Sequence, residues 1–122
     1  MQNIFSVKKQ KKEYNLLELI PFRNYQFVYN ENKKIDVLVP RFNDRFFGKF
    51  LQPRLKNPHI KANLDDMGTS VWELMDGQNK VEDIIIKMNE YHSENEENLE
   101  ERIKVFIQNL YRNNFIKFYQ IK

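Results

Sequence analysis

Cysteine is missing from all 122 residues, which removes disulfides, thiolate nucleophiles and sulfur-ligated metals together. Glycine is almost as scarce, with three residues, so phosphate-cradling loops and dinucleotide fingerprints have no foothold. There is no Gly-x-Ser-x-Gly nucleophile turn. The two histidines, His59 and His92, lie far apart, without metal-ligand spacing to each other or to a carboxylate pair. His59 is expected to be exposed on a strand, and His92 to complement a helix C-terminus. No apolar run approaches the roughly 18 residues of a membrane span. The basic opening cluster Lys8, Lys9, Lys11 and Lys12 is not followed by an apolar stretch of signal-peptide length. These lacks together point to a cytoplasmic protein with no catalytic residues, no metal and no cofactor.

What is present is the makeup of one folded domain. Apolar residues are 41%, charged residues 30% and aromatics 14%, with ten Phe and six Tyr, enough for a single hydrophobic core at this length. Charge is divided unevenly along the chain. Residues 1–62 hold 13 Lys/Arg against 5 Asp/Glu, a net of +8, and residues 63–122 hold 7 against 12, a net of −5. An anionic partner is therefore expected to meet the first half, unless the two halves only neutralise each other.

Periodicity changes along the chain. Tyr14, Leu17 and Ile20 have helical spacing, which predicts a short helix from Glu13 to Ile20 ended by Pro21. Tyr25, Phe27 and Tyr29 then alternate, as do Ile35, Val37 and Val39, around the turn-forming Asn30-Glu31-Asn32-Lys33. This is a β-hairpin whose second strand ends at Pro40. Asn43 can cap a short helix bearing Phe42, Phe46 and Phe50, with Arg45 and Lys49 between them and Pro53 beyond. These Phe residues either cover one end of the core or form a contact surface. His59 to Leu64 reads as a third strand with Ile60, Ala62 and Leu64 facing inward.

The second half is helical. Asp65 or Asp66 caps a helix carrying Met67, Val71, Trp72, Leu74 and Met75, which closes at Asp76-Gly77 through a left-handed Gly77. Trp72 is expected in the core. The next helix, Lys80 to about Tyr91, presents Val81, Ile84, Ile85 and Met88 on one stripe, with Asn79 and Glu82 at capping-box spacing. Ser93 and Glu96 have the same spacing before a last helix with Leu99, Ile103, Phe106, Ile107 and Leu110 inward. The five Glu between Glu94 and Glu101 suit the positive end of that helix rather than acid–base chemistry. Asn113-Asn114 stops it, and Phe115 to Ile121 is a closing strand. The expected fold is α+β: a hairpin and third strand, a three-helix bundle and a short C-terminal strand, in a winged helix-turn-helix arrangement. The whole chain, 1–122, is read as one domain, with 1–58 an N-terminal extension and 59–122 the winged-helix core.

The ordered set Leu64-Asp65, Gly68, Val71-Trp72, Asp76-Gly77, Val81, Ile84, Arg102, Phe106, Leu110 and Phe115-Ile116 resembles the PqqD family. The chain has Lys80 where the family often has Thr, and Asn114 where it often has Gly. The resemblance implies a domain that binds the leader segment of a ribosomally made precursor peptide and presents it to a modifying enzyme, often a radical SAM protein. It also implies that the peptide adds as a strand beside the third strand, against the third helix. On this chain that strand is His59, Ile60, Lys61, Ala62, Asn63 and Leu64, and the wall is Arg102, Val105 and Asn109. Val105 is the telling residue, being apolar yet outside the buried stripe. Two rival readings remain. A winged helix can bind nucleic acid, but the Glu-rich start of the last helix would repel phosphates. Alternatively the domain is an assembly subunit without a peptide ligand, using Phe42 to Phe50 as its contact surface.

Overall fold

The structure is a computed structural model that describes residues 15–40, 59–91 and 98–119. The expectations for Tyr14, the Phe42–Phe50 segment, His92 and the Ser93–Glu96 box lie outside these residues. The fold is α+β. Five strands are present among the described residues: β1 (Ile20–Arg23), β2 (Phe27–Tyr29), β3 (Ile35–Pro40), β4 (His59–Asn63) and β5 (Ile116–Tyr119). Three helices, α1 (Asp66–Leu74), α2 (Val81–Tyr91) and α3 (Leu99–Arg112), stand between β4 and β5. No helix among the described residues is long and apolar enough to cross a membrane.

Two compact units emerge, one formed by Tyr25–Thr69 and the other by Met1–Asn24 with Ser70–Lys122. In the first, β2, β3 and β4 make an antiparallel sheet with β3 in the centre. The hairpin turn is built around Asn30. Its N–H donates to Lys34 C=O at 2.8 Å, and its side-chain oxygen accepts from the N–H groups of Asn32 at 2.8 Å and Lys34 at 3.1 Å. Lys33 takes a left-handed φ of 65° to complete the turn, and Ile35 and Val37 on β3 are fully buried. Asp65 caps α1 by accepting the Gly68 N–H at 2.7 Å, the side-chain capping that short carboxylates provide.

In the second unit the segment read as a helix from Glu13 to Ile20 is instead a 3₁₀ turn, Leu16–Glu18, followed by β1. Asn15 caps the turn by accepting from Leu17 N–H at 3.0 Å, and Pro21 biases Ile20 to extended backbone. Leu16 and Leu19 are buried rather than Leu17 and Ile20. Pro21 therefore lies inside a strand instead of ending a helix. β1 pairs antiparallel with β5, Ile20 opposite Tyr119 and Arg23 opposite Ile116. Phe22 and Tyr119 stack with centroids 4.3 Å apart. The described residues thus include four strands before the helices, one more than the alternation pattern suggested.

The helical core follows the sequence closely. Val71, Trp72, Met75, Val81, Ile84, Met88, Ile103 and Ile107 are fully buried, and Leu99, Ile85 and Leu110 nearly so. Phe106 is half-buried. Arg23 closes the end of α1, its guanidinium donating to Trp72 C=O at 2.9 Å and Glu73 C=O at 3.2 Å. Gly77 then takes φ 84°, as expected, and its N–H donates to Pro21 C=O at 3.1 Å. The capping box before α2 is one residue later than expected. Asp83, not Glu82, reaches back to the N–H of Lys80 at 2.9 Å. Asn79 instead donates to Leu74 C=O at 3.0 Å and accepts from Lys87, because it is occupied in closing α1. Asn98, with φ 61°, precedes α3. Asn114, with φ 68°, follows it.

Candidate functional site

The candidate strand β4 lies at the border of its sheet, with β3 on one side and no strand on the other among the described residues. Its register with β3 sets Asn63 against Asp36, Ala62 against Val37, Lys61 against Leu38, Ile60 against Val39 and His59 against Pro40. The Leu64 N–H donates to Ile35 C=O at 2.9 Å. Because rungs alternate in an antiparallel pair, the next ones fall at Ala62 and Ile60. The N–H and C=O groups of His59, Lys61 and Asn63 therefore point away from β3. Three donors and three acceptors line the outer border.

Side chains alternate across the strand. His59, Lys61 and Asn63 share a face with Asp36 and Leu38, and Ile60, Ala62 and Leu64 share the opposite one with Ile35, Val37 and Val39. The inward expectation for the second set holds only in part. Ile60 is 49% exposed, while Ala62 and Leu64 are half-buried, as is Val39. His59 is half-buried rather than exposed, and Lys61 is exposed.

What fastens β4 to the hairpin is a residue that alternation alone would place in solvent. Asp36 is only 5% exposed. Its Oδ1 accepts from Asn63 Nδ2 at 2.5 Å and from Asn30 Nδ2 at 3.0 Å. The hydrogen bonds from Asn63 and then Asn30 hold the Asp36 carboxyl below its ordinary value, burial opposes them, and the charge of Lys61 adds a smaller pull in the same direction. One carboxylate thus joins the turn, the central strand and the border strand. Around it an open hollow of about 470 Å³ is lined by Asn30, Lys34, Asp36, Asn63, Leu64 and Asp65, among others. Sequence reasoning missed Asp36 and Asn30. The available signal was an acidic residue set between Ile35 and Val37, where a strand buried on one face would ordinarily carry a solvated polar group.

The other residues expected at the site belong to α3. Arg102, Val105 and Asn109 are all exposed, at the i, i+3, i+7 spacing of one helix face. Val105 is 47% exposed, confirming that it stands outside the buried stripe of Leu99, Ile103, Ile107 and Leu110. Asn109 accepts from Arg112 Nη1 at 3.2 Å. Among the described residues no group of three His, Asp or Glu side chains could hold a metal ion.

Residues 59–116 match the family model described as Coenzyme PQQ synthesis protein D (PqqD). The matched segment begins with the first residue of β4 and ends with the first residue of β5. Neither the curated proteins nor the solved structures give a match to this chain. The strand, the three helices and the Asp76-Gly77 turn that carried the resemblance all fall inside that segment, so the match supports a PqqD-like reading of residues 59–116.

Proposed function

We propose that this domain is a non-catalytic adaptor that binds the leader segment of a ribosomally made precursor peptide and presents it to a modifying enzyme, for which a radical SAM protein is the favoured class. The peptide adds as a strand to β4. The observation that carries this reading is the outward-facing backbone of His59, Lys61 and Asn63 on a strand with one neighbour among the described residues. A sheet border of that kind gives affinity through main-chain hydrogen bonds, and choice through the alternating side chains of Ile60, Ala62 and Leu64 on one face and His59, Lys61 and Asn63 on the other. Arg102, Val105 and Asn109 on α3 are proposed as a second determinant. The cytoplasm is the proposed location, since precursor peptides of this kind are made there. Glu100 and Glu101, in the first turn of α3, disfavour the rival reading of phosphate-backbone recognition.

The test is residue-resolved amide hydrogen exchange on the full chain, alone and with the precursor peptide encoded beside its gene. Strand addition protects the N–H groups of His59, Lys61 and Asn63 upon binding. Those of Ile60 and Ala62, already turned toward β3, change far less. Binding that leaves the three outward amides exchanging as before would refute strand addition, and no binding by any neighbouring precursor at high micromolar concentration would refute the adaptor role.

A further inference from the structure

The border strand carries a charge whose position has consequences for what can pair with it. Lys61 is the middle residue of β4, is exposed, and presents its backbone outward. In an antiparallel addition the residue opposite Lys61 exchanges both hydrogen bonds with it, and the two side chains emerge on the same face, with Cα atoms about 5.5 Å apart. The residues on either side of that position fall opposite Ile60 and Ala62, on the apolar face. Asp36, the carboxylate that feels the charge of Lys61, is 5% exposed and already accepts from Asn63 and Asn30. Residues 1–62, which include β4, carry a net charge of +8. An anion opposite Lys61 is attracted by the lysine itself.

The same geometry governs self-pairing. The antiparallel register that keeps all five residues of β4 paired with a second β4 has its two-fold axis at Lys61. It sets Lys61 against Lys61 of the other copy, and like charges directly opposite destabilise a sheet. A lysine at the middle of an open border is a device that blocks edge-to-edge association.

We infer that Lys61 decides both what β4 accepts and what it refuses: an extended segment of another polypeptide with an Asp or Glu between two apolar residues is taken, and a second copy of β4 is not. This rests on the strand-addition reading and adds to it the chemistry of the occupant. An opposite-charge pair across strands is worth roughly a factor of 1.4 to 5 in affinity. Exchanging attraction for repulsion compounds two such factors, giving about twofold to 25-fold between an acidic and a basic centre.

The experiment is selection of random nine-residue peptides by display on the immobilised full chain, wild type and Lys61→Glu in parallel, with the best peptide re-measured after its acidic residue is changed to Lys. Wild type is expected to enrich an acidic residue flanked by apolar ones, Lys61→Glu to enrich a basic one there, and the two measured affinities to cross. Identical enrichment on both proteins overturns the role of Lys61 while leaving strand addition intact. No enrichment over an empty support on either protein overturns strand addition itself. For the refusal, sedimentation equilibrium of Lys61→Val should show mass rising with concentration above that of wild type. Equal masses would overturn that half of the inference.

Discussion

Replacing Gly77 by alanine isolates one backbone requirement of the PqqD-like region. Gly77 links α1 to α2 at φ 84°, with its N–H on Pro21 C=O. A Cβ built there would lie 3.4 Å from Tyr119 Cε2 and 3.6 Å from Phe22 Cβ, which is ordinary contact, so space is not the obstacle. Conformation is. A left-handed alanine costs roughly 1–2 kcal/mol, offset by roughly 0.4–1 kcal/mol because alanine restricts the unfolded chain. The net loss is about 1 kcal/mol, or about 3–6 °C in Tm for a chain of this size. Urea denaturation followed through the fluorescence of Trp72, the single tryptophan and fully buried, reads it directly. Gly77→Asn serves as the control, since asparagine enters the left-handed region at lower cost. If Gly77→Ala were as stable as wild type, or Gly77→Asn lost as much as alanine, the conformational account would be wrong.

Ile103→Ala, truncating a side chain with no exposure, should cost about 2–5 kcal/mol in the same urea experiment. Val105→Ala, two residues along α3, should stay within about 0.5 kcal/mol of wild type and yet weaken the precursor peptide in a binding isotherm. Asp65→Ala removes the acceptor for Gly68 N–H and should cost about 1 kcal/mol, read as a shift of the urea midpoint at unchanged slope. The Asp36 carboxyl has a native value below its unfolded one. Its contribution is therefore complete above the ordinary value of about 3.9, and disappears as pH falls through the lower native value. An acid titration of stability should accordingly be flatter in that range for Asp36→Asn than for wild type, and identical acid limbs would refute the linkage.

The helices were legible because each carries a long apolar stripe with a turn signal at its end. Val81, Ile84, Ile85 and Met88 repeat over two turns, and only burial of one face explains such a run. Gly77 announced a left-handed closure through residue type alone, and Asn113-Asn114 marked where α3 stops. β1 was not legible, since its strand character comes from pairing with β5, which lies at the far end of the described chain, and Leu17 and Ile20 happen to mimic a helical interval. The register of the α2 cap was ambiguous for a local reason. Glu82 and Asp83 are both able to reach back, and only the use of Asn79 in closing α1 decides between them. At the candidate site, the strand His59–Asn63 was readable from its alternation. Its fastening through Asp36 was not, because a buried carboxylate with two amide partners depends on side chains from three separate segments meeting.

The pairing of β1 with β5 also dictates an order of events. Tyr25–Thr69 is a continuous stretch whose hairpin closes within a few residues around Asn30, so it can organise while a ribosome is still adding the helices. The other unit cannot, because Ile20 finds its neighbour only once Tyr119 has been made, and such distant contacts form late and slowly. Until then Ile20 to Arg23 have no strand to pair with. The border at β4 thus needs no residue beyond its own unit, and Lys61 sits at its centre before β1 has found its partner.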